Sequence, residues 1–357
     1  MVVKQLVLPA PEWEALVTKS PEVAKPGFEV DLISDPVELQ QKSNAQREAM
    51  ALKIYSQLGL DKAVKYVDYN IATRDEQRIP LRAYRPVGSS DGKPSPALVY
   101  FHGGGMLIGS LDGEVALASL LANALGTTVL HVCYRHTPQY KHPTQHEDSW
   151  DGLEWILAHA EQLHIDPAQV SVGGVSAGAT LAASITLAET RMAIKENRPQ
   201  RIRGQVLVVP WLVMSNEYPF ELVTSREKSS RVQTSLNATL PEQRLALFTK
   251  LYDALDPKDS LHNFLFTDPK LLSNLPKTAI IVHGGDILRD EGLFYAQKLE
   301  ELGVPTKVHI FKALPHAFRI FPGLPQNKRC DELFAESVLW TLGKSESGTS
   351  PGQWVDE

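Results

Sequence analysis

The sequence predicts an α/β protein, a mostly parallel β-sheet flanked by helices and roofed by a helical cap. From Ala97 onward, apolar runs of strand length alternate with amphipathic runs of helix length, the pattern of a parallel sheet covered on both faces. After Trp211 that alternation stops for roughly sixty residues, too long for an ordinary connection in a compact fold, so the interval must hold structure of its own. At Val170-Ser171-Val172-Gly173-Gly174-Val175-Ser176-Ala177-Gly178-Ala179-Thr180, a short apolar strand runs straight into the small residues that open a helix.

Taken in order, Asp35-Pro36 precedes a helical pattern through Val37, Leu39, Met50, Leu52, Ile54 and Leu58, closed by Gly59. Residues 1–62 are therefore expected to form helices that contribute to the cap. Between Val64 and Pro86 the period shifts toward two: Val67, Tyr69 and Ile71 share one face, and Ile79, Leu81 and Ala83 mark a second strand, an antiparallel pair leading into the sheet. A Gly/Ser/Asp/Lys/Pro stretch at 88–96 reads as a surface loop. Strands then follow at 97–101, 127–134, 170–172, 205–209, 277–282 and 307–311, with helices at 113–125, 147–163, 290–302 and 330–342. The core spans 63–212 and 265–343. Residues 213–264 form the cap insertion, irregular at 215–235 and helical at 241–255. Residues 344–357 are polar with Gly and Pro and are expected to be a flexible tail.

Composition limits the partners. Of 357 residues, 43% are hydrophobic and 22% charged, and a net charge of −6 offers no basic footprint for nucleic acid, which leaves a small molecule as the expected partner. The two cysteines, Cys133 and Cys330, imply neither a disulfide framework nor a cysteine metal site, and suit a reducing, cytoplasmic compartment. The apolar start from Met1 to Ala10 carries Lys4 and runs into Pro11, short of a secretory h-region, and no stretch is long enough to span a membrane. The Asn237-Ala238-Thr239 sequon is accordingly expected to stay unmodified.

The chemistry is concentrated in three places. Gly174, Ser176 and Gly178 form G-x-S-x-G at the strand-to-helix turn, where a serine is pushed into the open and the helix start directs unpaired N–H groups toward any oxyanion forming beside it. Upstream, His102-Gly103-Gly104-Gly105-Met106 follows a buried strand; consecutive glycines let backbone N–H groups approach a reacting atom, as an oxyanion hole requires. A phosphate loop would need a Lys-Ser/Thr that is absent. Downstream, Asp286 lies just past a strand end and His316 on the loop after the last core strand. Of the other histidines, His309 lies inside a strand and His283 precedes glycines. The chain order Ser176, Asp286, His316 is that of the α/β-hydrolases.

With these blocks, the chain resembles the hormone-sensitive-lipase-like, HGGG-type carboxylesterases of the α/β-hydrolase superfamily. The likeness rests on His102-Gly103-Gly104-Gly105, the serine elbow, Asp286-Ile287-Leu288-Arg289-Asp290-Glu291-Gly292 and Pro315-His316-Ala317-Phe318, with Tyr134-Arg135-His136-Thr137-Pro138, Pro143 and Asp148 before Trp155. It covers about residues 64–343. Departures are Val175, where bacterial relatives often carry an acid, Ala317, where many have glycine, and Gln139 in place of glutamate. The resemblance implies an eight-stranded α/β-hydrolase fold and a serine esterase acting on short- to medium-chain carboxylic esters. It implies a triad of Ser176, Asp286 and His316, an oxyanion hole of Gly104, Gly105 and Ala177, and no metal or organic cofactor.

Met106, Leu107, Trp211, Leu212, Met214 and Phe318 lie near these blocks in sequence and are candidates for an apolar substrate pocket, with core packing under the cap as the equal alternative. Acyl transfer, lactone opening or natural-product tailoring could use the same acyl-serine. A non-catalytic receptor, as in the gibberellin receptors, would lack the working histidine. A monomer or a homodimer is expected, the latter through an edge strand at 307–311.

Overall fold

The structure, a computed structural model, describes residues 10–25, 35–89, 92–254, 256, 259, 261–345 and 354–357. The expectations for residues 1–9, for the middle of the 88–96 loop, for Leu255 and for most of the tail lie outside those residues. Among the described residues nine strands form one sheet: β1 (Val64–Ala72), β2 (Arg78–Pro86), β3 (Ser95–Phe101), β4 (Thr128–Val132), β5 (Ile165–Val175), β6 (Ile202–Val208), β7 (Lys277–Gly285), β8 (Thr306–Pro315) and β9 (Trp354–Asp356). The longer helices are α1 (Pro11–Lys19), α2 (Pro36–Gln57), α3 (Val115–Leu125), α4 (Thr144–Ala158), α5 (Ala177–Glu196), α6 (Glu242–Tyr252), α7 (Arg289–Glu301) and α8 (Gln326–Thr341).

Strand order is β1-β2-β4-β3-β5-β6-β7-β8-β9. β1 and β2 pair antiparallel, β2 joins β4 antiparallel, and every later pairing is parallel. Alternation along each strand splits the core into two layers. Val99, Phe101, Val172, Leu207, Ile280 and Val308 face the side covered by α4, α5 and α7; Leu98, Tyr100, Val206, Val208, Ala279 and Ile281 face α3 and α8. Parallel strands buried on both faces explain why the central strands read as near-continuous apolar runs. On β1 the expected common face is incomplete: Ile71 is buried and Tyr69 half-buried, but Val67 is exposed because this strand borders the sheet.

α2 starts where Asp35-Pro36 predicts, the Asp35 carboxylate accepting from the Val37 N–H at 2.7 Å. Its hydrophobic residues do not all face the core. Met50, Leu52 and Leu58 are exposed, whereas Leu39 and Ala51 are buried. The Tyr134-Arg135 segment is held by Asp148 of α4, which accepts from the Arg135 backbone N–H at 2.8 Å and from its guanidinium. After Trp211 the chain passes through four short helical turns before α6.

Two expectations are corrected at the far edge. The tail expected to fray returns a ninth strand, β9, which pairs with β8 at Val308↔Trp354, His309↔Val355 and Ile310↔Asp356. Trp354 donates its indole N–H to Glu300 at 2.9 Å, and Glu357 meets both His309 and Arg329. The stretch at 307–311 is therefore not a free edge through which two copies could pair. Both cysteines are free and buried, and burial pushes each thiol up to about 12. No helix among the described residues is long and apolar enough to cross a membrane.

Candidate active site

Ser176 sits between β5 and α5 with φ 55° and ψ −120°, a conformation that L-residues rarely adopt. The turn is tight enough that a Cβ on Gly178 would lie 2.1 Å from the Phe101 carbonyl oxygen. The glycine is thus required by close approach of the helix to β3. Gly178→Ala is expected to destabilise the fold by about 3 kcal/mol through backbone displacement, read as a lower midpoint in chemical denaturation. An unshifted midpoint would show that the elbow tolerates the extra carbon.

Three strand ends bring the candidate residues together. His316 Nε2 lies 3.1 Å from Ser176 Oγ, and His316 Nδ1 lies 2.7 Å from Asp286 Oδ2. The other carboxylate oxygen of Asp286 accepts from the Leu288 N–H at 2.9 Å. All three residues are largely shielded from solvent, Asp286 completely. Gly104 and Gly105 take φ 134° and 63°, and neither N–H has a protein acceptor among the described residues. Ala177 opens α5, so its N–H belongs to the unpaired first turn.

The supporting groups were not readable from sequence. Arg47 of α2 donates to the Gly103 carbonyl at 3.0 Å and to Glu114, which in turn accepts from the Tyr100 hydroxyl at 2.7 Å. A helix outside the core thereby holds the glycine loop. Behind that loop three histidines form a chain, the buried His131 and His102 and the half-buried His136, with His131 Nε2 to His102 Nδ1 at 2.8 Å and His102 Nε2 to His136 Nε2 at 2.9 Å. Burial depresses His131 to about 3 and His136 to about 4, so these rings stay neutral and act as structural donors and acceptors.

The insertion braces the histidine side. Thr239 donates its hydroxyl to the His316 carbonyl and Asn237 its amide to the Gly285 carbonyl. His283, left aside as a base, is pushed down to about 4 by burial and, 3.0 Å from the Pro315 carbonyl, anchors the loop carrying His316. Asp290 accepts from the Tyr218 hydroxyl and the Ser230 N–H, both at 2.6 Å, and Glu291 accepts from the Leu212 N–H at 2.8 Å while facing Arg231 at 3.1 Å. The acidic block after Asp286 thus fastens the insertion to the core. Ala317 takes φ 47°, the left-handed region that glycine enters freely.

A cavity of about 350 Å³ opens beside Ser176 and His316. Its walls include Ser43, Gln46, Arg47 and Met50 of α2, and Leu240, Arg244 and Phe248 of the insertion. The Phe248 ring packs so close to Gly105 that a Cβ there would overlap it. None of Met106, Leu107, Trp211, Leu212, Met214 and Phe318 lines this cavity; all six are buried in the hydrophobic core. In this structure they belong to the hydrophobic core, as the packing alternative expects.

Comparison with known proteins agrees with this geometry. A family model described as the α/β-hydrolase fold matches residues 98–320. The chain is 32% identical to an arylesterase of Saccharolobus solfataricus over 71% of its own length and 76% of the relative's. It is also 32% identical to an ethyl acetate hydrolase of Pseudomonas putida, over 70% and 74%. An esterase structure from Pyrobaculum calidifontis superposes with a TM-score of 0.75 at 27% identity, covering 93% of this chain and 98% of that one. A serine elbow, a histidine bridging it to a buried acid, and kinship over most of the chain have one common reading: the protein belongs to the α/β-hydrolase carboxylesterase family.

Proposed function

We propose that the protein is a serine carboxylesterase that cleaves short- to medium-chain esters through an acyl-serine. The observation that carries this reading is the single imidazole of His316, 2.7 Å from Asp286 and 3.1 Å from Ser176. In the first half-reaction His316 Nε2 takes the proton from Ser176 Oγ as that oxygen bonds to the ester carbonyl carbon. The carbonyl oxygen becomes an oxyanion and accepts from the N–H groups of Gly104, Gly105 and Ala177. The C–O bond to the alcohol then breaks, and His316 returns the proton to the leaving oxygen. Water repeats the sequence and frees the acid and Ser176. Asp286 keeps Nδ1–H in place and offsets the positive charge on the ring.

The cavity supports the size class. At about 350 Å³ it is near the lower end for small-molecule sites. Its apolar walls at Met50, Leu240 and Phe248 suit acyl or alkyl groups, which casts α2 and the insertion as the cap that selects the ester. The named activities of the arylesterase and the ethyl acetate hydrolase are of the same kind. Two free, buried thiols are compatible with a reducing, cytoplasmic setting.

The test is hydrolysis of p-nitrophenyl esters graded from acetate to palmitate. kcat/KM is expected to peak among the short and medium chains and to collapse at palmitate. A rise continuing to palmitate would contradict the size class, and no release of p-nitrophenol from folded protein at any length would contradict the esterase assignment.

A further inference from the structure

His142, just before α4, and Asp259 and His262, in the loop after α6, each present one ligand atom, and the three atoms lie within 4.8 Å of one another. His142 Nε2 is 2.8 Å from Asp259 Oδ2, and its other nitrogen is 2.9 Å from the Tyr252 hydroxyl. Metal-binding imidazoles are held in this way, one nitrogen fixed by a protein partner and the other turned toward the ion and its carboxylate. The ring of His262 stands edge-on to His142, 4.8 Å between centroids at 87°.

His262 is the informative member. Solvent reaches none of it, and neither ring nitrogen has a hydrogen-bond partner among the described residues. The backbone of Asp256 comes near the ring without meeting hydrogen-bond geometry. Buried polar side-chain atoms are nearly always satisfied, and a neutral imidazole that meets no donor keeps a lone pair suited to a cation.

We propose that His142, Asp259 and His262 bind one divalent ion of the zinc class. Two imidazoles and one carboxylate are a borderline donor set that suits Zn²⁺, whereas Mg²⁺ and Ca²⁺ ask for oxygen ligands. With ligand bonds of about 2.0–2.2 Å, donors around one ion sit closer than the present 4.8 Å spread. The part-exposed Asp259 carboxylate, on its loop, is the group that adjusts. Water completes the coordination.

The site joins the insertion to a core segment more than a hundred residues away in sequence, and none of its three residues lines the cavity at Ser176. Its role is that of a clamp on the insertion, and it stands whether or not the esterase reading does.

The experiment uses untagged full-length protein stripped with a chelator. Zinc sulfate alone is titrated calorimetrically and cobalt(II) by its visible absorption. One zinc per chain is expected, with a raised Tm and a tetrahedral cobalt spectrum. Asp259→Asn, isosteric and part-exposed, and His262→Gln are each expected to weaken zinc binding by more than about ten-fold, with the metal-free Tm of Asp259→Asn close to wild type. Absence of stoichiometric binding to the folded wild type, or wild-type affinity in Asp259→Asn, would overturn the proposal.

Discussion

Ser176→Ala is expected to lower ester turnover by about a million-fold while leaving the fold intact. In the proposed mechanism the hydroxyl forms the new bond to the carbonyl carbon, and among the described residues its side-chain hydrogen-bond partner is His316, at 3.1 Å. Alanine pays the same backbone strain as serine at φ 55°, so the elbow keeps its shape and the loss is purely chemical. Rates on p-nitrophenyl butyrate, taken beside circular dichroism and a melting curve, separate the two effects. Residual catalysis from the glycine-loop N–H groups should remain above the background in water. A folded mutant with the wild-type rate would remove Ser176 from the chemistry.

Asp286→Asn is expected to reduce kcat by about 10⁴-fold. The carboxylate at 2.7 Å from His316 Nδ1 can only accept, so it fixes the proton there and leaves Nε2 free to take the serine proton. An amide can donate instead, which favours the tautomer with hydrogen on Nε2 and disarms the base. The Leu288 N–H retains an acceptor in the asparagine oxygen, and the isosteric side chain keeps the packing. KM should change far less than kcat because Asp286 does not line the cavity. A fall of less than about ten-fold would place the orienting acid elsewhere, since this interaction is typically worth far more.

The juxtaposition of Ser176, Asp286 and His316 was legible because each lies on a short block with a local signal: glycines that a tight turn requires, an acid past one strand end, a histidine past another. The pocket was not. Met106, Leu107, Trp211, Leu212, Met214 and Phe318 are close to those blocks along the chain, but chain proximity says nothing about side-chain direction, and packing turned every one of them into the core. The cavity walls instead combine core residues such as Leu117, Val208 and Phe334 with residues of α2 and the insertion, where a helix pattern reveals amphipathicity but not what it faces. Arg47 carried no signal, being one charged residue among many on a polar helix. The ninth strand was hidden for a different reason. Three residues of β9, following a Ser/Gly/Pro run, offer too little period to count, and only the pairing with β8 reveals them. The histidines at 142 and 262 are too far apart in sequence for ligand spacing to announce them.

The helix carrying Ser43, Gln46 and Met50 lies wholly outside the stretch 98–320 that the family model matches, yet it forms one wall of the cavity. On the proposed reading, part of the substrate-selecting wall and the bond-breaking residues are written on separate stretches of chain. On that reading, drift at Met50 or Gln46 is expected to change which esters enter without disturbing the serine, the histidine or the acid. Arg47, one residue from Gln46, is the exception: its guanidinium is tied to the carbonyl of Gly103 and to Glu114. The helix is therefore free to diversify at its pocket positions only while that one side chain keeps its hold on the catalytic loop.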